Sequence, residues 1–431
     1  MRATLFSAAT LLVATTLVAG CSHAPSAKKP AANNVTRIEV GPDAQKRAQT
    51  ALINAKPQSV IEFGEGKFDF NATLSLEDVS HVTIRGQGPD KTILSFAKQQ
   101  QGTGGEGLRI KCPEDVLIED LAVEDCKGDA IKVQDTTRVA FRRVRAEWTG
   151  GAKETNGAYG LYPVLCKDVL IEDSVAIGAS DAGIYVGQSE NIIVRRNRAE
   201  KNVAGIEIEN SINADVYENV ATDNAGGILV FSLPDLPKKD GRGCRVFDNK
   251  VEGNNHENFA PKGNIVATVP PGTGMMLMAN DQVEFFGNTV ENNNSTGLLV
   301  VSYLINQKPI KDEKYDPYCE AVYIHDNKFA KNGENPGGDL GGILGKILGT
   351  PFPDIMYDGM RDEKKLVDGN LPEDKRIRIR NNGDASFVNF DGGAFTPANV
   401  LANKKPNIVR ELTDYEGELT ALKPVAIAGV K

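Results

Sequence analysis

Residues 197–230 read NRAEKNVAGIEIENSINADVYENVATDNAGGILV and contain one unit twice. Each copy has two asparagines five positions apart, followed by a glycine and a short run of alternating apolar residues. The second copy begins 22 residues after the first. A period of this length is too short for a domain and is typical of a solenoid, in which each turn of chain packs only against its neighbours.

The same unit recurs along much of the chain. Segments of a glycine, or once an alanine, followed by alternating residues begin at Gly107, Ala130, Gly160, Gly183, Gly205, Gly227, Gly274 and Gly297. The asparagine pairs are Asn197 with Asn202, Asn219 with Asn224, Asn249 with Asn254, Asn288 with Asn293, and Asn327 with Asn332. Three short strands per turn cannot bury a face alone, but stacked turns can form three sheets around one core.

We therefore predict an all-β fold, a right-handed single-stranded parallel β-helix of three sheets with an N-terminal helical cap. The asparagines are expected in left-handed turn positions, where their amides link each turn to the turns above and below. The first cap is predicted as a helix over 43–56 with Asp43 as its N-cap and an apolar stripe of Ala48, Leu52 and Ile53. A short amphipathic cover for the other end of the solenoid is predicted over 337–349.

The pattern divides the chain into five segments. We predict a signal peptide over 1–20, a flexible tether over 21–35, a cap with the first rungs over 36–106, the repeats with loop insertions over 107–335, and a C-terminal cap, late strands and tail over 336–431.

The first segment has the features of an export signal. An apolar stretch over 5–18 is short for a membrane span and ends in Leu17-Val18-Ala19-Gly20-Cys21. Small residues before a cysteine at this place look like a lipobox, at which a bacterial signal peptidase cuts and the cysteine is acylated. We expect a cell-envelope lipoprotein held by a lipid on Cys21. Ser22 after the cysteine favours the outer membrane, with the protein facing the periplasm or the surface.

Charge and composition exclude several classes of function. The formal net charge is −9, and no basic region is concentrated enough to bind nucleic acid. Five cysteines follow the lipobox without the close spacing of zinc or haem sites, and we expect neither a metal nor a cofactor. They are Cys112, Cys126, Cys166, Cys244 and Cys319. Cys112 and Cys126 can lie on neighbouring rungs and pair, or remain buried free thiols.

The segment Thr83-Ile84-Arg85-Gly86-Gln87-Gly88 and the asparagine-rich rungs over 107–332 resemble the pectin-lyase-like β-helix superfamily. More narrowly, the chain resembles bacterial exported parallel β-helix repeat lipoproteins. That resemblance implies the fold and the compartment, and it suggests a c-type-cytochrome-like exported partner. The wider superfamily contains polysaccharide lyases, hydrolases and epimerases, which implies a carbohydrate role. The Asp-Pro-His-Asp stretch of alginate epimerases is absent from the sequence, so whether the chain is an enzyme stays open.

The repeat also indicates which face of the solenoid could hold a functional site. In each glycine-led strand the second residue after the glycine is expected to point to solvent. This column contains Arg109, Lys132, Tyr162, Tyr185, Glu207, Leu229, Met276 and Leu299. The long insertions over 150–158, 232–243, 255–273 and 304–318 flank the same strand and are expected to turn it into a groove.

Two hypotheses follow for this groove. The first is a polysaccharide site in its N-terminal half, with tyrosine faces for sugar rings and a catalytic carboxyl pair of Glu207 and Asp181. The substrate-binding residues would be Arg109, Lys132, Tyr162, Tyr185, Glu207 and Glu209, with Asp129 nearby. An ordinary solvated sheet face is the alternative.

The second hypothesis is a non-enzymatic scaffold that binds another exported protein through an exposed apolar patch. The patch would consist of Leu229, Phe231, Met276, Met278, Leu299 and Val301. The neighbouring insertions can also fold over the patch and bury it.

Overall fold

The structure, a computed structural model, describes residues 34–100 and 105–430, and its main elements are short parallel strands. The strands are β1 (Val35–Ile38), β2 (Val60–Phe63), β3 (Gly66–Asp69), β4 (Leu74–Glu77), β5 (Val82–Arg85), β6 (Thr92–Ser95), β7 (Leu108–Lys111), β8 (Glu114–Glu124), β9 (Ile131–Gln134), β10 (Thr137–Glu147), β11 (Tyr159–Val164), β12 (Lys167–Glu172), β13 (Val175–Ile177), β14 (Ala182–Gly187), β15 (Glu190–Arg195) and β16 (Arg198–Glu200). They continue as β17 (Ala204–Glu209), β18 (Ile212–Tyr217), β19 (Val220–Thr222), β20 (Gly226–Phe231), β21 (Arg242–Phe247), β22 (Lys250–Glu252), β23 (Thr273–Met278), β24 (Asp281–Phe286), β25 (Thr289–Glu291), β26 (Thr296–Val301), β27 (Val322–His325), β28 (Lys328–Ala330), β29 (Ile355–Tyr357), β30 (Arg378–Arg380) and β31 (Phe387–Asn389). The α-helices are α1 (Ala44–Ile53), α2 (Gly338–Leu348) and α3 (Pro397–Leu401).

The strands form three parallel stacks around one core, which confirms the predicted β-helix. The first stack is β4, β7, β9, β11, β14, β17, β20, β23, β26, β29 and β31. The second stack is β1, β2, β5, β8, β10, β12, β15, β18, β21, β24, β27 and β30, and the third is β3, β6, β8, β10, β13, β16, β19, β22, β25 and β28. The long strands β8 and β10 belong to both of the last two stacks.

Val35–Lys431 form one compact unit. The predicted signal peptide, Cys21 and the tether up to residue 33 lie outside the described residues. Among residues 34–100 and 105–430, no helix is long and apolar enough to cross a membrane.

Two buried asparagine ladders run along the turns on either side of the third stack. In the first ladder each amide donates to the side-chain oxygen of the next at 2.9–3.0 Å, through Asn197, Asn219, Asn249, Asn288, Asn327 and Asn382. The second ladder, with distances of 2.9–3.1 Å, runs through Asn202, Asn224, Asn254, Asn293 and Asn332. The two asparagines of a pair lie five residues apart because a third-stack strand of three residues and one turn residue separate them.

The left-handed turn position is not occupied by the ladder asparagines, and this part of the prediction is wrong. The residue before each ladder asparagine has the positive φ, of 51–65° in the first ladder. These residues are Arg196, Glu218, Asp248, Gly287, Asp326 and Asn381. The asparagine side chain is therefore free to point into the turn and meet its neighbours.

The recurrent glycine of the first stack is required by close packing. A Cβ on Gly205 would lie 2.6 Å from the carbonyl oxygen of Gly227 and 2.9 Å from Nδ2 of Asn224. A side chain here would push the next rung away from the second ladder. The glycine thus marks the site where the strand passes the ladder amide.

The caps differ in detail from their predictions. Helix α1 starts at Ala44 with Asp43 at the predicted N-cap position, but Asp43 has a left-handed backbone and its side chain forms no capping hydrogen bond. Ala48 and Leu52 are buried in the core as predicted, whereas Ile53 is exposed. Helix α2 lies at the predicted place and buries Leu344. All five cysteines of the described residues are buried free thiols.

The C-terminal tail runs along the outer face of the second stack. The backbone N–H of Leu422 donates to Glu284 at 3.1 Å, and that of Val425 donates to Asp215 at 3.0 Å. Further along, Ile427 packs with Leu170 and other apolar residues of the same face.

Replacing Asn249 by alanine tests the ladders. Its amide donates to the carbonyl oxygen of Val216 and to Oδ1 of Asn288, and its oxygen accepts from the backbone and side chain of Asn219. Because buried partners lose their hydrogen bonds, we expect the free energy of unfolding to fall by about 3 kcal/mol. Urea denaturation measures this change. The exposed Asn54→Ala is the control, and equal effects of the two substitutions would contradict a structural role of the ladder.

Candidate functional site

The outer column of the first stack is aligned as the repeat predicts. Arg109 pairs in register with Lys132, Lys132 with Tyr162, and Tyr185 with Glu207. The ring centroids of Tyr162 and Tyr185 lie 5.1 Å apart on adjacent rungs. Five of the predicted site residues therefore lie in one column on one flank.

The column is not a solvent-exposed groove, however. Tyr185 is only 4% exposed and Glu207 only 2% exposed. The insertions form a second hydrophobic core against this face, with Phe259, Ala260 and Ile265 of the 255–273 loop packed on it. The prediction of an open face fails because the insertions fill the groove that they flank.

The same core buries the predicted apolar patch, so the exposed docking surface of the second hypothesis does not exist. Leu229, Phe231, Met276, Met278, Leu299 and Val301 are all buried. The insertion residues Leu233, Phe259, Val269 and Ile305 pack in the same cluster. These side chains stabilise the loops by burial of apolar surface.

Three tyrosines and three carboxyl groups meet in the N-terminal part of this outer core, and we call them the tyrosine–carboxyl cluster. Its members are Tyr159, Tyr162, Tyr185, Asp181, Glu207 and Glu209. The ring centroid of Tyr159 lies 4.5 Å from that of Tyr162 and 4.3 Å from that of Tyr185. Tyr159 was not among the predicted site residues, because a position three residues before Tyr162 would lie on the opposite face of a strictly alternating strand.

Two of the carboxyl groups have neutral hydrogen-bond partners. The hydroxyl of Tyr185 donates to Oε1 of Glu209 at 2.6 Å. Nδ2 of Asn264, in the 255–273 loop, donates to Oδ2 of Asp181 at 3.2 Å. The Oε2 atom of Glu207 is buried and has no hydrogen-bond partner. An unpartnered buried carboxyl oxygen is costly and calls for a functional explanation.

Burial holds the protons on these groups. Burial, with a smaller contribution from Glu209, raises the pKa of Asp181 to about 8. Burial raises the pKa of Glu209 to about 7, although the Tyr185 hydroxyl opposes the shift. The pKa of Glu207 rises well above its ordinary value through burial and the neighbouring carboxyl groups. At neutral pH the cluster thus contains proton donors beside a group poised to accept a proton.

The rim of the cluster lies toward the N-terminus. Tyr162 is half-buried, and the Lys132 ammonium lies 5.1 Å from its ring centroid. Asp129 is close by, and burial raises its pKa to about 6. Arg109 forms an ion pair with Glu77 at 2.9 Å, and both are exposed, so Arg109 is not part of the cluster.

Metal-ligating atoms gather elsewhere in the described chain. One group is His81, Glu114 and Asp115, and the other is Asp281, Asp316 and Glu320. Arg138 pairs with the first group and Lys365 with the second. Both are ion-pair networks that do not touch the tyrosine–carboxyl cluster.

The dependence of the free energy of unfolding on pH tests the raised pKa of Glu209. Between about pH 4.5 and about pH 7 the folded protein retains a proton on Glu209 that the unfolded chain loses, so wild-type stability falls as the pH rises. We expect Glu209→Gln to gain up to about 3 kcal/mol relative to wild type across this window.

Tyr185→Phe is the matched variant. It removes the hydrogen bond that favours ionised Glu209, so the fall in stability should extend to higher pH. Denaturant titrations at several pH values measure both variants. A Glu209→Gln difference that is constant over the window would contradict the assignment.

One family model agrees with the fold. Residues 67–235 match the family model for the right handed beta helix region. The A-module of mannuronan C-5 epimerase AlgE4 from Azotobacter vinelandii is 15% identical, with a TM-score of 0.48 over 69% of this chain and 86% of that one. An alginate lyase from Paenibacillus sp. str. FPU-7 is 17% identical, with a TM-score of 0.46 over 69% and 96%.

Endopolygalacturonase I from Stereum purpureum is 14% identical, with a TM-score of 0.45 over 69% of this chain and 95% of that one. Among curated proteins, none matches the chain. At these identities and TM-scores the similarities assign no substrate to this chain. The family match and the strand register together identify the chain as a right-handed parallel β-helix protein, the fold that the resemblance to the pectin-lyase-like superfamily implies.

Proposed function

We propose that the tyrosine–carboxyl cluster and its rim bind a polysaccharide. The observation that carries the proposal is the convergence of three tyrosine rings with three carboxyl groups, one of which has an unpartnered buried oxygen. Tyrosine faces pack on the apolar faces of sugar rings, and carboxyl groups exchange hydrogen bonds with sugar hydroxyls. Glycan sites combine these two kinds of contact in one concave place.

Access runs from the rim and requires the 255–273 loop to move. Tyr162 of the cluster and Lys132 of its rim are the side chains reached first from solvent. The Asn264 amide holds the loop to Asp181, while apolar packing and hydrogen bonds to Asn224, Asn306 and Lys308 hold the rest of the loop. Sugar hydroxyls entering the cluster would replace the Asn264 amide and give Glu207 the partner that it lacks.

We further propose that the site cleaves the glycan that it binds. Glu207 and Asp181 are the proposed carboxyl pair, with a neutral acid that gives a proton to the leaving oxygen and a second carboxyl that ionises to act as base. The raised pKa of Asp181, about 8, supports its role as the acid at neutral pH. Such a pair cleaves glycosidic bonds in other enzymes.

Tyr162→Ala tests the binding site with little risk to folding, because Tyr162 is only half-buried. We expect at least a tenfold loss of glycan affinity on an array of envelope and environmental polysaccharides, since one stacking face is lost. Tyr318→Ala, at another half-buried tyrosine, is the control and should bind like wild type. Equal binding by both variants would overturn the proposal. New reducing or unsaturated ends, followed in parallel, separate turnover from binding.

The anchor is a proposal from the sequence alone. Cys21 would carry a lipid and hold the β-helix at the outer membrane, facing the periplasm or the surface. Cys21→Ser should move the protein from the membrane fraction to the soluble fraction and abolish labelling by radioactive palmitate. Unchanged fractionation and labelling of the variant would rule out this anchor.

A further inference from the structure

Buried carboxylates on the second and third stacks and their turns have cationic partners. Glu124 pairs with Lys67 and Arg145, and Glu172 pairs with three arginines. The same holds for three more acids: Asp215 and Glu284 with Arg245, and Glu320 with Lys375. Asp358 instead accepts hydrogen bonds from the backbone N–H groups of Ser302 and Met360. Burial of a carboxylate is thus normally compensated in this chain.

The tyrosine–carboxyl cluster departs from this rule. Asp181, Glu207 and Glu209 are 2–7% exposed, and none of them forms an ion pair with a side chain of the described residues. Their hydrogen-bond partners are a neutral hydroxyl and a neutral amide, and Glu207 Oε2 has none. The cluster therefore offers carboxyl oxygens to a ligand, and no cationic side chain of the described residues pairs with them.

The aromatic rings add a second attraction for positive charge. Three tyrosine rings surround the carboxyl groups, and the face of an aromatic ring attracts an ammonium group. One such contact already exists at the rim, where the Lys132 ammonium lies 5.1 Å from the ring centroid of Tyr162. An ammonium group that passed this rim would meet Tyr185 next in the column and Glu207 after it.

We propose that the glycan bound by this cluster carries protonated amines, as a polymer of glucosamine does, and that one ammonium group donates to Oε2 of Glu207 between Tyr185 and Asp181. This inference rests on the proposed function and narrows its substrate class. A polyuronate has no ammonium group to donate to Glu207, and burial of its carboxylates in a cluster without a cationic side chain is unfavourable, so it binds more weakly. An N-acetylated polymer has the same ring without the positive charge and binds more weakly.

Binding is coupled to release of a proton. The ammonium group stabilises an ionised carboxylate, so a carboxylic acid of the cluster gives its proton to solvent as the amine enters. The other titratable groups facing the site are Asp129 and Lys132 at the rim, together with the three tyrosines. The 255–273 loop contributes the neutral amide of Asn264.

Calorimetry with hexamers of glucosamine, N-acetylglucosamine and galacturonate tests the inference on the full chain. We expect the glucosamine hexamer to bind at least tenfold more tightly than the other two. Titrations in buffers of different ionisation enthalpy should show release of about one proton for this hexamer. Glu207→Gln should weaken its binding about tenfold and keep the circular-dichroism spectrum of wild type, whereas Glu218→Gln, at an exposed turn, should change nothing.

The outcomes separate the two proposals. Tighter binding of the acetylated or uronate hexamer overturns the ammonium assignment and leaves glycan binding intact. If neither these hexamers nor any polysaccharide of the array binds, the proposed function fails as well. Spermidine binding as tightly as the glucosamine hexamer would show a site for amines alone, and displacement of the hexamer by millimolar Ca²⁺ would show a metal site. Either result overturns the inference.

Discussion

The hydrogen bond between stacked asparagine amides is the constraint on which the rest of the structure depends. In both ladders each asparagine Nδ2 donates to Oδ1 of the asparagine on the next rung. The two ladders lie on either side of the third stack. A rung that slipped by one residue would leave both amides buried without partners, at a cost of a few kcal/mol. The ladders therefore fix the register, and register places Tyr185 beside Glu207 although 22 residues separate them.

The first stack separates two hydrophobic cores. Its inward side chains fill the solenoid, and its outward side chains pack under the insertions, so strands such as β17 and β20 are buried along their whole length. The second core is apolar toward the C-terminus and acidic toward the N-terminus. This change in chemistry along one continuous face is what distinguishes the tyrosine–carboxyl cluster from ordinary packing.

The repeat was sufficient to predict which side chains share a column. Tyr162, Tyr185 and Glu207 follow from the spacing of the glycines, because register in a solenoid is periodic. Their burial could not be predicted in the same way. It depends on the insertions, which are not periodic, and on contacts such as that of Asn264 with Asp181, which lie 83 residues apart. For the same reason the missing counter-charge of Glu207 is visible only in the structure.

A direct test of the cluster is site-specific titration of its carboxyl groups by ¹³C NMR, with assignment through the Asp181→Asn and Glu209→Gln variants. Burial beside other acids predicts that Asp181 titrates near pH 8 and Glu209 near pH 7. If every aspartate and glutamate of the folded protein titrated below about pH 5, these groups would be in contact with water or with cations, and the closed, uncompensated cluster described above would be wrong.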